Sequence, residues 1–238
     1  LRGGFAGFEA SPLERPPVGE APTVLTGDLA GDDDGSLLNG SDNSHLVLLI
    51  GANDVALDRL MLAGGAAAPG PVACAGGPGA AVWSDGNANG FRITDCQVVR
   101  CYGNGVDVSS VGTAFEVAVS GCSFRDVAGA ALDVYSFASL VSVDRCCFER
   151  AGVAFRLGDS WLAGASIRNS VVRDCRFAVV LGLYVFVNTT YLVDGCTFVD
   201  NSGPGFSVSG GGGFTSTVDI QMRNSILVGN NGDRPELE

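Results

Sequence analysis

Six segments of this chain restate one pattern: FRITDCQVVRC, FEVAVSGCSFRDV, LVSVDRCCFERA, ASIRNSVVRDC, YLVDGCTFVDN and VDIQMRNSILVGN. Aligned, they share an anchor column of Cys96, Cys122, Cys146, Ser170, Cys196 and Ser225, spaced by 26, 24, 24, 26 and 29 residues. A period of that size means one supersecondary unit stacked on copies of itself, each copy burying against its neighbours what it cannot bury alone. The repeat constrains the architecture more than any single residue does. It also weighs against a single deep active site.

Three residues before the anchor stand Ile93, Val119, Val143, Ile167, Val193 and Met222; two after it stand Val98, Phe124, Phe148, Val172, Phe198 and Leu227. Both columns are apolar throughout, so both are expected to face inward. After a Gly-containing turn a second β-prone run follows: GVDVS from Gly105, AALDVY from Ala130, AFRLG from Ala154, AVVLGLY from Ala178 and GFSVSG from Gly205. No helix-period stretch of ten or more residues separates these runs, which excludes βαβ units. The remaining solution is a coil of short parallel strands. Residues 1–65 read as irregular N-terminal coils, with VALDRLMLAGG placing Leu60 in the anchor column. Residues 66–90 read as a loop and a strand, 91–230 as the regular repeats, and 231–238 as a tail. The chain is expected to be a fragment of a longer protein, since it opens in strand-like sequence at Leu1 and ends in GDRPELE.

Stacking in register puts equivalent side chains side by side, where opposite charges attract. Four residues after the anchor stand Arg100, Asp126, Arg150, Asp174 and Asp200. One position earlier the column includes Arg125, Glu149 and Arg173, and two before the anchor it includes Asp144, Arg168, Asp194 and Arg223. Such ladders are expected to penalise register slips more than to add stability, since an exposed ion pair contributes about 0–1 kcal/mol. The net charge is −12 and every basic residue is Arg. A chain with this balance has no basic patch for phosphates, so nucleic acid is not an expected partner. No uninterrupted apolar run of about 18 residues occurs, so no membrane-spanning helix is expected.

Eight cysteines are present. Cys96, Cys122, Cys146 and Cys196 share the anchor column, and Cys101 and Cys175 share another five residues on. Small thiols suit an inward position on a stacked coil, and rungs about 4.8 Å apart exceed the Cβ separation a disulfide prefers. Free, stacked thiols are expected. Cys74 and Cys147 fall outside these columns and are the candidates for reactivity.

The opening RGGFAGFE, then PTVLTGDLAGDD and NSHLVLLIGANDVALDRLMLAGG, resembles the N-terminal part of bacterial right-handed parallel β-helix repeat proteins of the pectin-lyase-like superfold. The chain is also similar to the polymorphic outer membrane proteins. Phe198-Val-Asp-Asn201 matches the FxxN tetrapeptide of that group, whereas Phe124 is followed by Val127 and Phe148 by Ala151. The companion Gly-Gly-Ala-Ile motif is echoed in GNGVDV and AGAALDV. The resemblance implies an all-β, single-stranded right-handed parallel β-helix of about seven coils. It also implies export to the medium or the cell surface, and it assigns no reaction.

Two constellations could carry chemistry. The loop GDLAGDDDGS holds Asp28, Asp32, Asp33 and Asp34, with Asn39, Asp42 and Asn43 nearby. Several carboxylates within a short loop could wrap a hard cation such as Ca2+, or simply form a solvated acidic turn. Tyr135, Phe137, Trp161, Tyr184, Phe186 and Phe214 follow the second strand of successive rungs. They should gather along one edge, with Tyr135, Trp161 and Tyr184 the candidates for stacking on sugar rings; the alternative is that they plug a corner of the core.

No catalytic residue is assigned. The single His, His45, precedes a strand and reads as structural, and the acids lie scattered over alternating columns rather than converging in a hydrolase pair. The leading expectation is therefore a non-enzymatic, secreted or cell-surface module with a structural, adhesive or glycan-contacting role. Its partner would be a polysaccharide or a surface protein, and the chain itself a monomer. The alternative is a carbohydrate-active enzyme, a polysaccharide lyase or glycoside hydrolase.

Overall fold

A computed structural model describes residues 1–4, 11, 14–17, 20, 22–32, 42–65, 79–84, 90–110, 115–136, 139–158, 164–182, 189–209 and 218–230. All of its regular structure is β, and all of its strand pairs are parallel. No helix among the described residues is long and apolar enough to cross a membrane.

Each coil contributes three faces. The first is a seven-stranded sheet built from Ala56–Asp58, Phe91–Thr94, Phe115–Ser120, Ser139–Asp144, Gly164–Arg168, Thr189–Asp194 and Val218–Arg223. The second runs through Thr23–Thr26, Leu60–Ala63, Gln97–Cys101, the early halves of Ser123–Ser136 and Cys147–Gly158, then Val171–Arg173, Thr197–Val199 and Ile226–Val228. The third joins Leu46–Ile50, Ala80–Ser84, Asn104–Ser110, the later halves of the same two long strands, Phe177–Gly182 and Phe206–Ser209. The two long strands bend from the second face into the third and so merge these faces into one sheet.

The inward columns sit where the repeat places them. Ile93, Val119, Val143, Ile167 and Val193 pair in register on the first face and are all buried. Val98, Phe124, Phe148, Val172 and Phe198 are buried on the second, with the Phe124 and Phe148 rings stacked at 4.8 Å. Burying each such side chain contributes about 1.5–3 kcal/mol. Met222, the same position on the last described rung of the first face, is 38 % exposed because no described rung covers it.

Corners between the first two faces follow one rule. The residue before the anchor has a left-handed backbone in every coil: Arg59, Asp95, Gly121, Arg145, Asn169, Gly195 and Asn224. The residue four after the anchor, at the next corner from the second face into the third, does too: Gly64, Arg100, Asp126, Arg150, Asp174, Asp200 and Gly229. The second set is the column read from sequence as a charge ladder. It is also a turn column, which suits the Gly and Asp found in it, since left-handed backbone favours Gly and tolerates Asp.

At the corner between the first and second faces the sheet ladder is interrupted and an amide is left over. The anchor side chain of the next rung takes it. Leu60 N–H donates to Cys96 Sγ at 3.4 Å, Cys96 N–H to Cys122 Sγ at 3.4 Å, Cys146 N–H to Ser170 Oγ at 3.1 Å and Cys196 N–H to Ser225 Oγ at 3.2 Å. Each thiol or hydroxyl in turn donates to the carbonyl two residues back, as Cys122 does to Ser120 and Ser170 to Arg168. The anchor column therefore selects Cys or Ser as a short acceptor and donor, and not merely as a small side chain. The free, stacked thiols expected from the spacing are present.

Candidate functional site

Charge ladders cover the second face. Glu149 Oε2 accepts from Arg125 at 3.1 Å on the rung before and from Arg173 at 2.9 Å on the rung after. Arg150 pairs with Asp126 at 2.6 Å and also contacts Glu149. Burial works to raise the Glu149 carboxyl, but hydrogen bonding from Arg173 and the charges of Arg150 and Arg125 hold it below its ordinary value. The third expected ladder differs. Asp144 and Arg168 are neighbours in register, yet Asp144 accepts from Asn169 and from Arg145, and Asp194 accepts from Asn224. The Asn at the corner reaches the carboxylate of the preceding rung more directly than the long Arg does.

The third face is organised otherwise. One outward column there reads Leu49, Trp83, Asp107, Asp133, Arg156, Val180 and Ser207 in register. Two carboxylates thus stand on neighbouring rungs, flanked by a half-buried Trp83 on one side and Arg156 on the other. Asn104 joins them: its Nδ2 donates to Asp107 Oδ2 at 2.9 Å and to Asp133 Oδ2 at 3.1 Å, while its Oδ1 accepts from Ala130 N–H at 2.9 Å. Because one nitrogen touches both oxygens, those oxygens stand no more than about 6 Å apart. Arg156 reaches Asp133 at 3.1 Å. The Arg156 Nε is shielded from water and meets no acceptor among the described residues.

Asp107 is 6 % exposed, and the Asp133 side chain 13 %. Burial pushes the Asp107 carboxyl up, against hydrogen bonding from Asn104 and the charge of Arg156. Burial also pushes Asp133 up to about 6; the Asp107 charge adds to the rise, and Arg156 and Asn104 oppose it. Desolvation disfavours the charged form of an acid, and a like charge beside it acts in the same direction. The sequence reading had the acids scattered over alternating columns. This pair corrects it, because Asp107 and Asp133 occupy one column. A signal was present: GNGVDV and AGAALDV each carry an Asp at the same distance from the anchor.

Tyr135 lies two residues beyond Asp133 on the same outward side and is 47 % exposed. Its ring lies over Gly158, where an added Cβ would sit 2.8 Å from Cδ2. Of the three aromatics proposed for sugar stacking, Trp161 and Tyr184 lie outside the described residues, as do Phe137, Phe186 and Phe214.

Of the acidic loop, Asp28, Asp32 and Asp42 come together, with carboxylate oxygens within 4.8 Å of one another. Asp33, Asp34 and Asn39 lie outside the described residues. Asp28 accepts from the Gly31 and Asp32 amides and Asp42 from the Ala30 amide, so both also close the loop. His45 is half-buried before the strand Leu46–Ile50, its carbonyl accepting from Ala80 N–H. Cys147 is outward and half-buried, opposite in direction to Cys146, and burial raises its thiol above the ordinary value. Cys74 lies outside the described residues.

A three-faced solenoid of parallel strands, closed by left-handed corners and capped rung to rung by Cys, Ser and Asn, defines a β-helix. The chain belongs to the right handed beta helix family, whose model matches residues 75–233. No curated protein and no solved structure matches the chain.

Proposed function

We propose that this β-helix is a non-enzymatic glycan-contacting module of the cell surface or medium, and that the third face holds the glycan. One observation carries the reading. Trp83, Asp107, Asp133 and Arg156 form a continuous outward column, with Tyr135 beside it over the bare backbone of Gly158. Such a strip offers aromatic surface for sugar rings and carboxylates and a guanidinium for hydroxyls. A net charge of −12 repels polyanions, so the glycan is a neutral, hydroxyl-rich one.

The carboxyl pair favours a second reading, glycoside hydrolysis. Oxygens no more than about 6 Å apart suit the closer spacing of a retaining mechanism, about 5–5.5 Å, better than the wider inverting one. An acid poised at about 6, as Asp133 is, could protonate a leaving oxygen.

A panel of neutral and acidic polysaccharides, with and without calcium, separates these readings when scored for binding and for new reducing ends. Binding to a neutral polymer without turnover, weakened about tenfold or more in Tyr135→Ala, supports the module. Turnover lost in Asp133→Asn supports the hydrolase. Calcium-dependent binding that disappears in Asp32→Asn brings the acidic loop into the site. Silence across the panel overturns the glycan reading.

A further inference from the structure

Glycan contact does not account for how Asp107 and Asp133 are held. They stand one rung apart, about 4.8 Å along the axis, paired in register and turned to the same side of the sheet. From the packed strands, the groups facing them are Asn104 on their own face, Arg156 from Cys147–Gly158, Trp83 from Ala80–Ser84 and Val180 from Phe177–Gly182. Among the described residues Arg156 is the cation in this set, and its contact is with Asp133.

Asn104 cannot change its role. Its Oδ1 is committed to Ala130 N–H, which fixes Nδ2 as the donor toward both acids. That gives each carboxylate one hydrogen from a neutral amide. With both acids ionised, Asp107 would be a charge 6 % exposed, facing a second negative charge with no cation in contact among the described residues. An isolated buried charge of this kind neutralises rather than persists.

We propose that Asp107 and Asp133 share one proton, as a carboxyl–carboxylate pair clamped by Asn104, and that release of this proton loosens the third face between their two rungs. The proton passes to water and no other group changes state. The pair titrates as a unit, and the raised values described above put its release in mildly acidic solution. The face is thus firm in acid and looser near neutrality. The inference stands whether or not a glycan binds there.

The test follows Asp carboxyl carbons by NMR from pH 4 to pH 8, with amide hydrogen exchange measured alongside. Two Asp carboxyls should titrate together in mildly acidic solution, above the ordinary carboxylate range, and Asp107→Asn and Asp133→Asn should each abolish that shared step. Exchange corrected for its intrinsic rate should rise about tenfold between pH 5 and pH 7.5 in residues 104–108 and 130–135, but not in 197–199. Both acids fully ionised at pH 5 in the unaltered protein would overturn the shared proton. A shared step with unchanged exchange would overturn the loosening. The first measurement needs no variant, so misfolding of either substitution cannot obscure it.

Discussion

Asn201 and Asn230 stack side by side inside the rod, the Nδ2 of Asn201 donating to the Oδ1 of Asn230 at 2.6 Å. Both are 1 % exposed. Asn201 also accepts from Cys175 N–H at 2.9 Å and donates to the Val172 carbonyl at 3.3 Å. It does for the second corner what the anchor Cys and Ser do for the first. The Asn of the FxxN tetrapeptide is thus a corner cap whose partners are backbone groups of the preceding rung.

Asn201→Ala should therefore cost about 2–4 kcal/mol, because it leaves the buried Cys175 amide and Val172 carbonyl unpaired. Urea unfolding gives the value. Asn201→Asp should be no milder, since it keeps the acceptor but adds a buried charge. A loss under about 0.5 kcal/mol in the alanine variant would mean the cap is dispensable.

In the anchor column, Cys122→Ser should be nearly neutral, within about 1 kcal/mol, as Ser170 and Ser225 already fill the same position. Cys122→Val should cost about 1–3 kcal/mol more, because the Cys96 amide then has no acceptor. Thermal unfolding of the two variants side by side checks this. If valine is tolerated as well as serine, small size alone explains the column.

Glu149 holds Arg125 and Arg173 together across three rungs. Its carboxyl is held below the usual range, so its contribution to stability is fully present above its ordinary value near 4.5 and is lost as pH falls below that. Glu149→Gln should destabilise by about 1 kcal/mol at neutral pH. The difference from wild type should shrink with added salt and vanish in strong acid. A difference that persists at pH 2 would assign the effect to packing instead.

Asp133 behaves in the opposite sense. Its carboxyl is raised from 3.8 to about 6, so the folded chain holds this proton more tightly than the unfolded one does. Stability from this group is present below about 4, declines as pH rises toward 6, and is flat above. In a pH series of urea midpoints, Asp133→Asn should lack that decline and be more stable than wild type at pH 7. Parallel curves for the two proteins would remove Asp133 as its source.

Gly152 lies where two rungs meet closely. A Cβ there would sit 2.3 Å from the Ala128 carbonyl oxygen, a backbone atom that cannot step aside. Gly152→Ala should cost about 2 kcal/mol or more, seen as a lower melting temperature. An unchanged melting temperature would show that the rungs can separate there.

Much of this was legible in the chain. The inward columns follow from period and polarity alone, because a stacked coil repeats every environment and each position is sampled once per rung. The Arg125, Glu149 and Arg173 ladder was legible for the same reason. Corner chemistry was harder to see: Asn201 could be found as a motif, but its role depends on amides that only the turned backbone leaves unpaired.

What tertiary structure decided lies beyond the corner. Asp107 and Asp133 are both eleven residues past their anchors, whereas Arg156 is ten past Cys146. The register between the two long strands slips between Val127 and Ala130, and that slip brings Arg156 opposite Asp133. Counting along the chain cannot reveal a bulge that changes which residues are neighbours. Nor can it reveal burial, and it is burial that raises these two acids while a ring of arginines lowers Glu149. The sequence by itself determined the stacked coil, since any other fold would expose six rungs of matched apolar columns. The third face was decided by how one irregular bend aligned the rungs.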